Sequence, residues 1–318
     1  MSRSARSSDL QFSAGAVIDA ANLVRLRALS GFLPLHRQRK ILNDLSGSHT
    51  SAVRGRGLDY AEVRAYQPGD DIRAMDWRVT ARTGDAHIKV FKEERERPVI
   101  IVCDLRSGMH FGTRHAFKSV LAADLAALLA WAASNHGDRV GALLFNDEDE
   151  TDLRPKTGRK QVLQIINALA EAKPQPYRTG RMQQMCRHLR RVVRPGSAVY
   201  FISDFAGFDD ECERQLFDLT RHSDLIALQV SDPLEASLPP PGVYQFAWQD
   251  KKHLVNAADR RLRQQYEDAW QQRRDDLSAH MLRLKSPLLA LTTDMADPLT
   301  ALRNGLGLSG SRTSGRRG

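Results

Sequence analysis

Pro98-Val-Ile-Ile-Val-Cys-Asp104 decides how this chain folds: a continuous apolar run that ends in a carboxylate. A short run of this kind, rich in β-branched residues, reads as a strand buried on both faces. The pattern recurs at Arg139–Phe145 (Val-Gly-Ala-Leu-Leu-Phe after the arginine), at Ser197-Ala-Val-Tyr-Phe-Ile-Ser-Asp204, at Asp224–Val230 and at Leu288–Thr293. Helical spacing fills the intervals, at His115–Ser134, Arg159–Ala172, Thr179–Val193, Asp209–His222 and Ala257–Leu284. Buried strands alternating with helices predict a doubly wound α/β domain, its mostly parallel sheet covered on both faces. Ligands of such sheets bind beyond the carboxyl ends of the strands, where the strand order reverses. Asp104 and Asp204 both stand at such ends.

Upstream the character differs. Residues 16–30 space their apolar positions like a helix, with Gly31 as its stop. Residues 47–97 carry glycines at 47, 55, 57, 69 and 84 and short alternating runs such as Ala86-His-Ile-Lys-Val-Phe91, and read as small strands joined by tight turns, one at Gln67-Pro-Gly-Asp70. Asp147–Asp152 reads as an acidic turn. The expected organisation is a disordered N-terminus (1–14), an N-terminal helix with a small β-rich segment (15–97), the α/β domain (98–308) and a disordered tail (309–318).

The 318 residues are 42% hydrophobic, enough for a sizeable core, and carry 47 basic against 38 acidic side chains, a formal charge of +9. The excess suits an anionic partner: nucleic acid, a membrane surface or an acidic protein face. Cys103, Cys186 and Cys212 are few, odd in number and scattered, which argues against a disulfide framework or a zinc site and fits a reducing compartment. No run approaches the roughly 20 apolar residues of a membrane span, and Met1–Ser8 is polar with no signal-type core behind it. The expectation is a cytoplasmic protein.

Hydrolase and nucleotide signatures are missing: no GxSxG elbow, no Walker A run, no GxGxxG after a strand, no HExxH. Two aspartates at one sheet edge suit a hard divalent cation, or else each caps its own loop. The β-rich segment interleaves Asp59, Glu62, Arg64, Asp70, Asp71, Arg73, Asp76, Arg78 and Arg82 with Tyr60, Tyr66 and Trp77. This mixture favours ion pairs or a partner surface over a metal cage, with Tyr66 and Trp77 either as anchors or as packing. Arg187, Arg190, Arg191 and Arg194 share a helical face that suits phosphate contacts or simple solvation near a helix C-terminus.

The segment Gly57-Leu-Asp-Tyr-Ala-Glu-Val-Arg-Ala-Tyr-Gln-Pro-Gly-Asp-Asp-Ile-Arg-Ala-Met-Asp-Trp-Arg-Val-Thr-Ala-Arg82 closely resembles the signature of the bacterial family called domain of unknown function 58. Phe91-Lys-Glu-Glu-Arg95, Met109-His-Phe-Gly112, Ile202-Ser-Asp-Phe205 and Asp232-Pro-Leu-Glu235 follow in matching order, so that the resemblance spans roughly residues 40–305. It implies a von Willebrand factor A-like domain and association with AAA+ ATPases of the MoxR type, and with another von Willebrand A-domain protein as a further partner. The parent fold holds Mg²⁺ or Mn²⁺ in an Asp-x-Ser-x-Ser site completed by a Thr and an Asp. The resemblance places Asp104 first and Asp204 last, with Thr157 as the candidate Thr. The two serine positions are Arg106 and Gly108, and Ser107 is one residue out of register. The site is therefore degenerate, and a guanidinium at 106 is positioned to take the cation's electrostatic place beside Asp104 or Asp204.

These readings converge on a cytoplasmic adaptor or chaperone-like interaction module, not an enzyme, working with a MoxR-type ATPase. The partner surfaces are Arg106 with Tyr66, Asp70, Asp71, Arg73, Asp76, Trp77 and Arg78. The alternatives are a metal-dependent hydrolase or phosphotransferase using Asp104 and Asp204, and an electrostatic nucleic-acid binder.

Overall fold

The period-2 burial of the strands builds the sheet. Val99, Ile101 and Cys103 enter one apolar layer, while Ile100 and Val102 enter the other. The same division holds for Tyr200 and Ile202 against Val199 and Phe201, and for Ile226, Leu228 and Val230 against Leu225 and Ala227. A strand with both faces apolar needs helices on both sides.

In a computed structural model, residues 12–35, 58–67, 75–93, 98–248 and 251–308 are described. The chain divides into two units, Met1–Leu45 with Arg97–Gly318, and Ser46–Glu96. The larger unit holds a six-stranded sheet. In chain order its strands are β3 (Pro98–Asp104), β4 (Arg139–Phe145), β5 (Glu150–Lys156), β6 (Ala198–Ser203), β7 (Asp224–Ser231) and β10 (Leu288–Thr292). In space the order is β10-β7-β6-β3-β4-β5, all parallel except β5, which is antiparallel to β4.

One layer of the core packs around the helix Lys118–Asn135, in which every residue from Lys118 to Ala133 is buried. Such a helix is apolar nearly all round because it is covered twice. The sheet lies on one side, and Leu23, Leu26 and Leu33 of the N-terminal segment join the same cluster. That segment forms the helices Ala20–Arg25 and Arg27–Ser30. Trp131 Nε1 donates to Leu23 O at 3.1 Å, and Asn135 Nδ2 to Ser30 Oγ at 2.7 Å. Ser13 gives both its N–H and its hydroxyl to the fully buried Asp124. The other layer is covered by Arg181–Val192, Asp210–Thr220 and Arg260–Arg283, through Met182, Met185, Leu216, Leu277 and Met281.

Several expectations are corrected. Phe12 and Ser13, in the stretch expected to be disordered, pack against or into the core layer, and residues 12–35 belong to the same unit as the α/β domain; residues 1–11 and 309–318 lie outside the described residues. The acidic turn at 147–152 runs into β5, an edge strand whose polar sequence carries Pro155, which an edge tolerates. A hairpin of β8 (Val243–Trp248) and β9 (Lys251–Asn256) follows the proline-rich turn.

In the smaller unit β1 (Leu58–Ala65) pairs antiparallel with β2 (His87–Glu93). Between them stands a helix the sequence reading lacks, Trp77–Thr83. Its signals are local: Asp76 accepts from the N–H groups of Arg78 and Val79, and Gly84 closes it at φ +84°. The turn expected at Gln67–Asp70 runs beyond the described residues.

Candidate functional site

From β3 the chain steps to β4 on one side, and later to β6 on the other. The loops leaving β3 and β6 therefore part at the carboxyl edge, which is where such folds open a crevice. Asp104 closes β3 and Asp204 follows β6.

Asp104 is fully buried. Arg106 folds back on it, Nε lying 3.0 and 3.1 Å from Oδ1 and Oδ2 and Nη2 2.6 Å from Oδ2. Ser203 Oγ donates to the same carboxylate at 2.6 Å. The guanidinium lies 5.5 Å from the centre of the Phe145 ring, donates through Nη1 to Ala206 O at 3.0 Å, and has Nη2 3.5 Å from Asp204 Oδ1. One arginine thus ties the end of β3 to the turn after β6.

A second cation completes the site. Lys118, first residue of the buried helix and only 1% exposed, places Nζ 2.8 Å from Asp204 Oδ2 and 2.6 Å from Glu235 Oε1. Burial opposes charge on both partners. The mutual attraction outweighs it, so the Lys118 ammonium is held above its ordinary range and the Asp204 carboxyl below its own, with Arg106 adding to the latter. Glu235 is fixed by a capping box: its Oε2 accepts from Asp232 N–H at 2.9 Å. Asp232 in turn gathers Thr113 and Thr293.

The turn after β6 is strained. Phe205 takes φ +56°, a conformation a bulky residue adopts at a cost of about 1–3 kcal/mol. Its N–H reaches Ser203 Oγ at 2.8 Å and its ring lies 5.2 Å from that of Phe201. The Ala206 carbonyl of the same turn accepts from Arg106.

The donor set does not fit a hard dication. Both oxygens of Asp104 receive Arg106; those of Asp204 receive Lys118 and, at 2.9 Å, the Ala206 N–H. Two full positive charges already stand among the carboxylates, and a further +2 charge there meets their repulsion. Ser107 sends its N–H to Asp147, not Asp104, and its buried hydroxyl has no hydrogen-bond partner among the described residues. Thr157 is exposed at the opposite edge, because β5 runs antiparallel and its last residue, Lys156, pairs with Val140 at the start of β4. The structure therefore brings Asp104, Arg106, Ser107 and Asp204 to one edge and leaves Thr157 far from them.

In the smaller unit Trp77 is 66% exposed, Arg78 is exposed and Tyr66 half-buried, while Asp76 is a buried cap. Asp70, Asp71 and Arg73 lie outside the described residues. Sequence reasoning missed Lys118, which opens a long apolar run. It also missed Glu235 as a site group, although Asp232-Pro-Leu-Glu235 displays the capping-box spacing.

The fold and site define a mixed α/β protein with a mostly parallel six-stranded sheet, flanked by helices and closed at its switch point by an internal ion-pair network. A family model described as "Protein of unknown function DUF58" matches residues 62–276, and the chain belongs to that family. An uncharacterized protein of Mycobacterium tuberculosis, Rv1480, is 32% identical over 274 residues, 85% of this chain and 86% of the relative. The Mycobacterium bovis protein Mb1516 matches equally well. Among solved structures, the conserved hypothetical protein BatB from Bacteroides thetaiotaomicron is similar with a TM-score of 0.42 and 14% identity, over 66% of this chain and 97% of that one. An aerotolerance-related membrane protein from Bacteroides fragilis gives a TM-score of 0.36 at 14% identity, over 57% and 99%. Among the described residues no helix is long and apolar enough to cross a membrane.

Proposed function

We propose that this chain is a cytoplasmic protein-interaction module with a von Willebrand factor A-like domain, acting as adaptor or chaperone-like partner of a MoxR-type AAA+ ATPase. The ATPase supplies energy and this chain supplies recognition. The observation that carries the reading is the Asp104–Arg106–Asp204–Lys118 network at the switch point. It leaves the edge rigid and charged, and it engages the carboxylates that a metal-dependent hydrolase would need for its cation. Contact at this edge is then direct, through the partly exposed Glu235 and the surface around it, with no bridging dication. The exposed Trp77 and Arg78 are of the residue types that anchor interfaces and offer a second surface.

The test is binding of the full chain to a nucleotide-free MoxR-type ATPase by surface plasmon resonance, in Mg²⁺ and in EDTA. Saturable binding of equal strength in both buffers, weakened at least about tenfold in Glu235→Gln, is the expected result. Absence of binding, or binding that EDTA abolishes, would overturn the proposal.

A further inference from the structure

The one antiparallel strand changes what the carboxyl edge of the sheet presents. A helix that follows a parallel strand begins at that edge. β5 instead runs back to the opposite edge, so the helix after it, Arg159–Glu171, returns and ends at the carboxyl edge. It brings the negative end of its dipole there, and its last turn holds no basic residue to offset it. Between this helix end and the turn from β4 to β5 lies a cleft of about 370 Å³.

The floor of the cleft is apolar. Leu105 and Leu144 belong to the core layer around Lys118–Asn135, and Ala168 and Ala172 pack against it. The turn is a fixed wall: Asn146 Oδ1 accepts the N–H groups of Glu148 and Asp149 at 2.8 and 2.6 Å, and Arg181 donates to the carbonyls of Asn146 and Asp149 at 2.9 and 3.1 Å. Five of the six residues 147–152 are acidic, in a chain of formal charge +9. Asp147 is engaged by the N–H groups of Ser107 and Arg178, and Glu150 by His188. Asp149 stands exposed at one wall of the cleft and Glu171 at the other, and neither carboxylate has a hydrogen bond or ion pair among the described residues. Among those residues Lys173 alone adds a positive charge to the lining.

An anion here would meet two carboxylates and the negative end of a helix. An uncharged apolar group would fill the floor and leave the carboxylates without a partner. A cation on an apolar stem uses both, and arginine fits best: its methylenes lie along the leucines while its planar fork meets the carboxylates.

Resting on the reading of the chain as a protein-interaction module, we infer that this cleft receives an arginine side chain of the protein partner.

Amide NMR of the full chain, titrated with acetyl-glycyl-arginyl-glycinamide, tests this. The control is the same peptide with citrulline, which keeps the stem and loses the charge. The arginine peptide is expected to shift the signals of Leu144, Thr151 and Ala172 saturably, and the citrulline peptide to bind at least about threefold more weakly. Asp149→Asn with Glu171→Gln should weaken the arginine peptide by a similar factor, at an unchanged melting temperature because both side chains are exposed. Lys173→Gln should tighten it about twofold. No saturable shift, an equal response to citrulline, or indifference to the double variant would overturn the inference. So would agmatine, the same guanidinium on a free stem, binding at least about tenfold tighter than the peptide, because the cleft would then take a small molecule. The titration contains no ATPase. Failure here beside retained ATPase binding removes the arginine pocket alone, and success here beside absent ATPase binding removes the MoxR-type partner alone.

Discussion

Arg106 grips Asp104, two residues before it in the chain, through three N–H···O contacts at 3.0, 3.1 and 2.6 Å. The carboxylate is fully buried and the guanidinium side chain only 10% exposed. The loop after β3 therefore carries its own counter-charge and does not wait for an ion to neutralise it.

Removing that counter-charge should be costly. Arg106→Ala leaves Asp104 buried with the Ser203 hydroxyl and one backbone N–H, so urea unfolding at neutral pH should show a loss of about 3–5 kcal/mol. A loss below about 1 kcal/mol would mean that the pair is not held as described.

Lys118 should behave in the same way with a distinct pH signature. Asp204, whose carboxyl is held low, contributes stability above its unfolded value that fades as pH falls through the lowered folded value. In Lys118→Met the burial remains and the main attraction goes, so the Asp204 carboxyl shifts upward. The stability gap to the parent chain should be on the order of 3 kcal/mol at pH 7 and narrow toward pH 4. Unfolding curves at both pH values check it; a gap independent of pH would count against the Lys118–Asp204 contact.

Asp124 carries the opposite sign. Burial pushes its carboxyl up to about 6, against the two Ser13 hydrogen bonds. A carboxyl raised in the folded state weakens stability as pH climbs from its unfolded value, near 4, through 6, by up to about 3 kcal/mol. Asp124→Asn keeps an acceptor for Ser13 N–H and should remove this pH dependence, leaving the variant as stable as the parent or more so at pH 7.5. Thermal melts from pH 4.5 to 7.5 decide the matter; a variant that is less stable throughout would contradict it.

The parallel strands of the sheet were legible because each is a short apolar run, and Asp104 and Asp204 marked the site edge in advance. β5 escaped because an exposed edge strand, Glu150-Thr-Asp-Leu-Arg-Pro-Lys156, has no apolar run to announce it. The helix Trp77–Thr83 was signalled by Asp76 and Gly84 but masked by surrounding glycines. Arg106 was legible as a candidate counter-ion because it stands two residues from Asp104. Lys118 was not: its partners are 86 and 117 residues away, and only the fold brings them together. Ser13 illustrates the same limit, since a polar N-terminal residue shows its value only once Asp124 is known to be buried.

Arg106 and Lys118 stand where a dication would otherwise neutralise Asp104 and Asp204. Calorimetric titration of the full chain with Mg²⁺ and with Mn²⁺ decides whether they replace it. No saturable heat up to roughly millimolar concentrations and the same melting temperature in EDTA as in Mg²⁺ are expected. Saturable binding at or below that range, abolished by Asp104→Ala, would contradict this and restore the metal to the site.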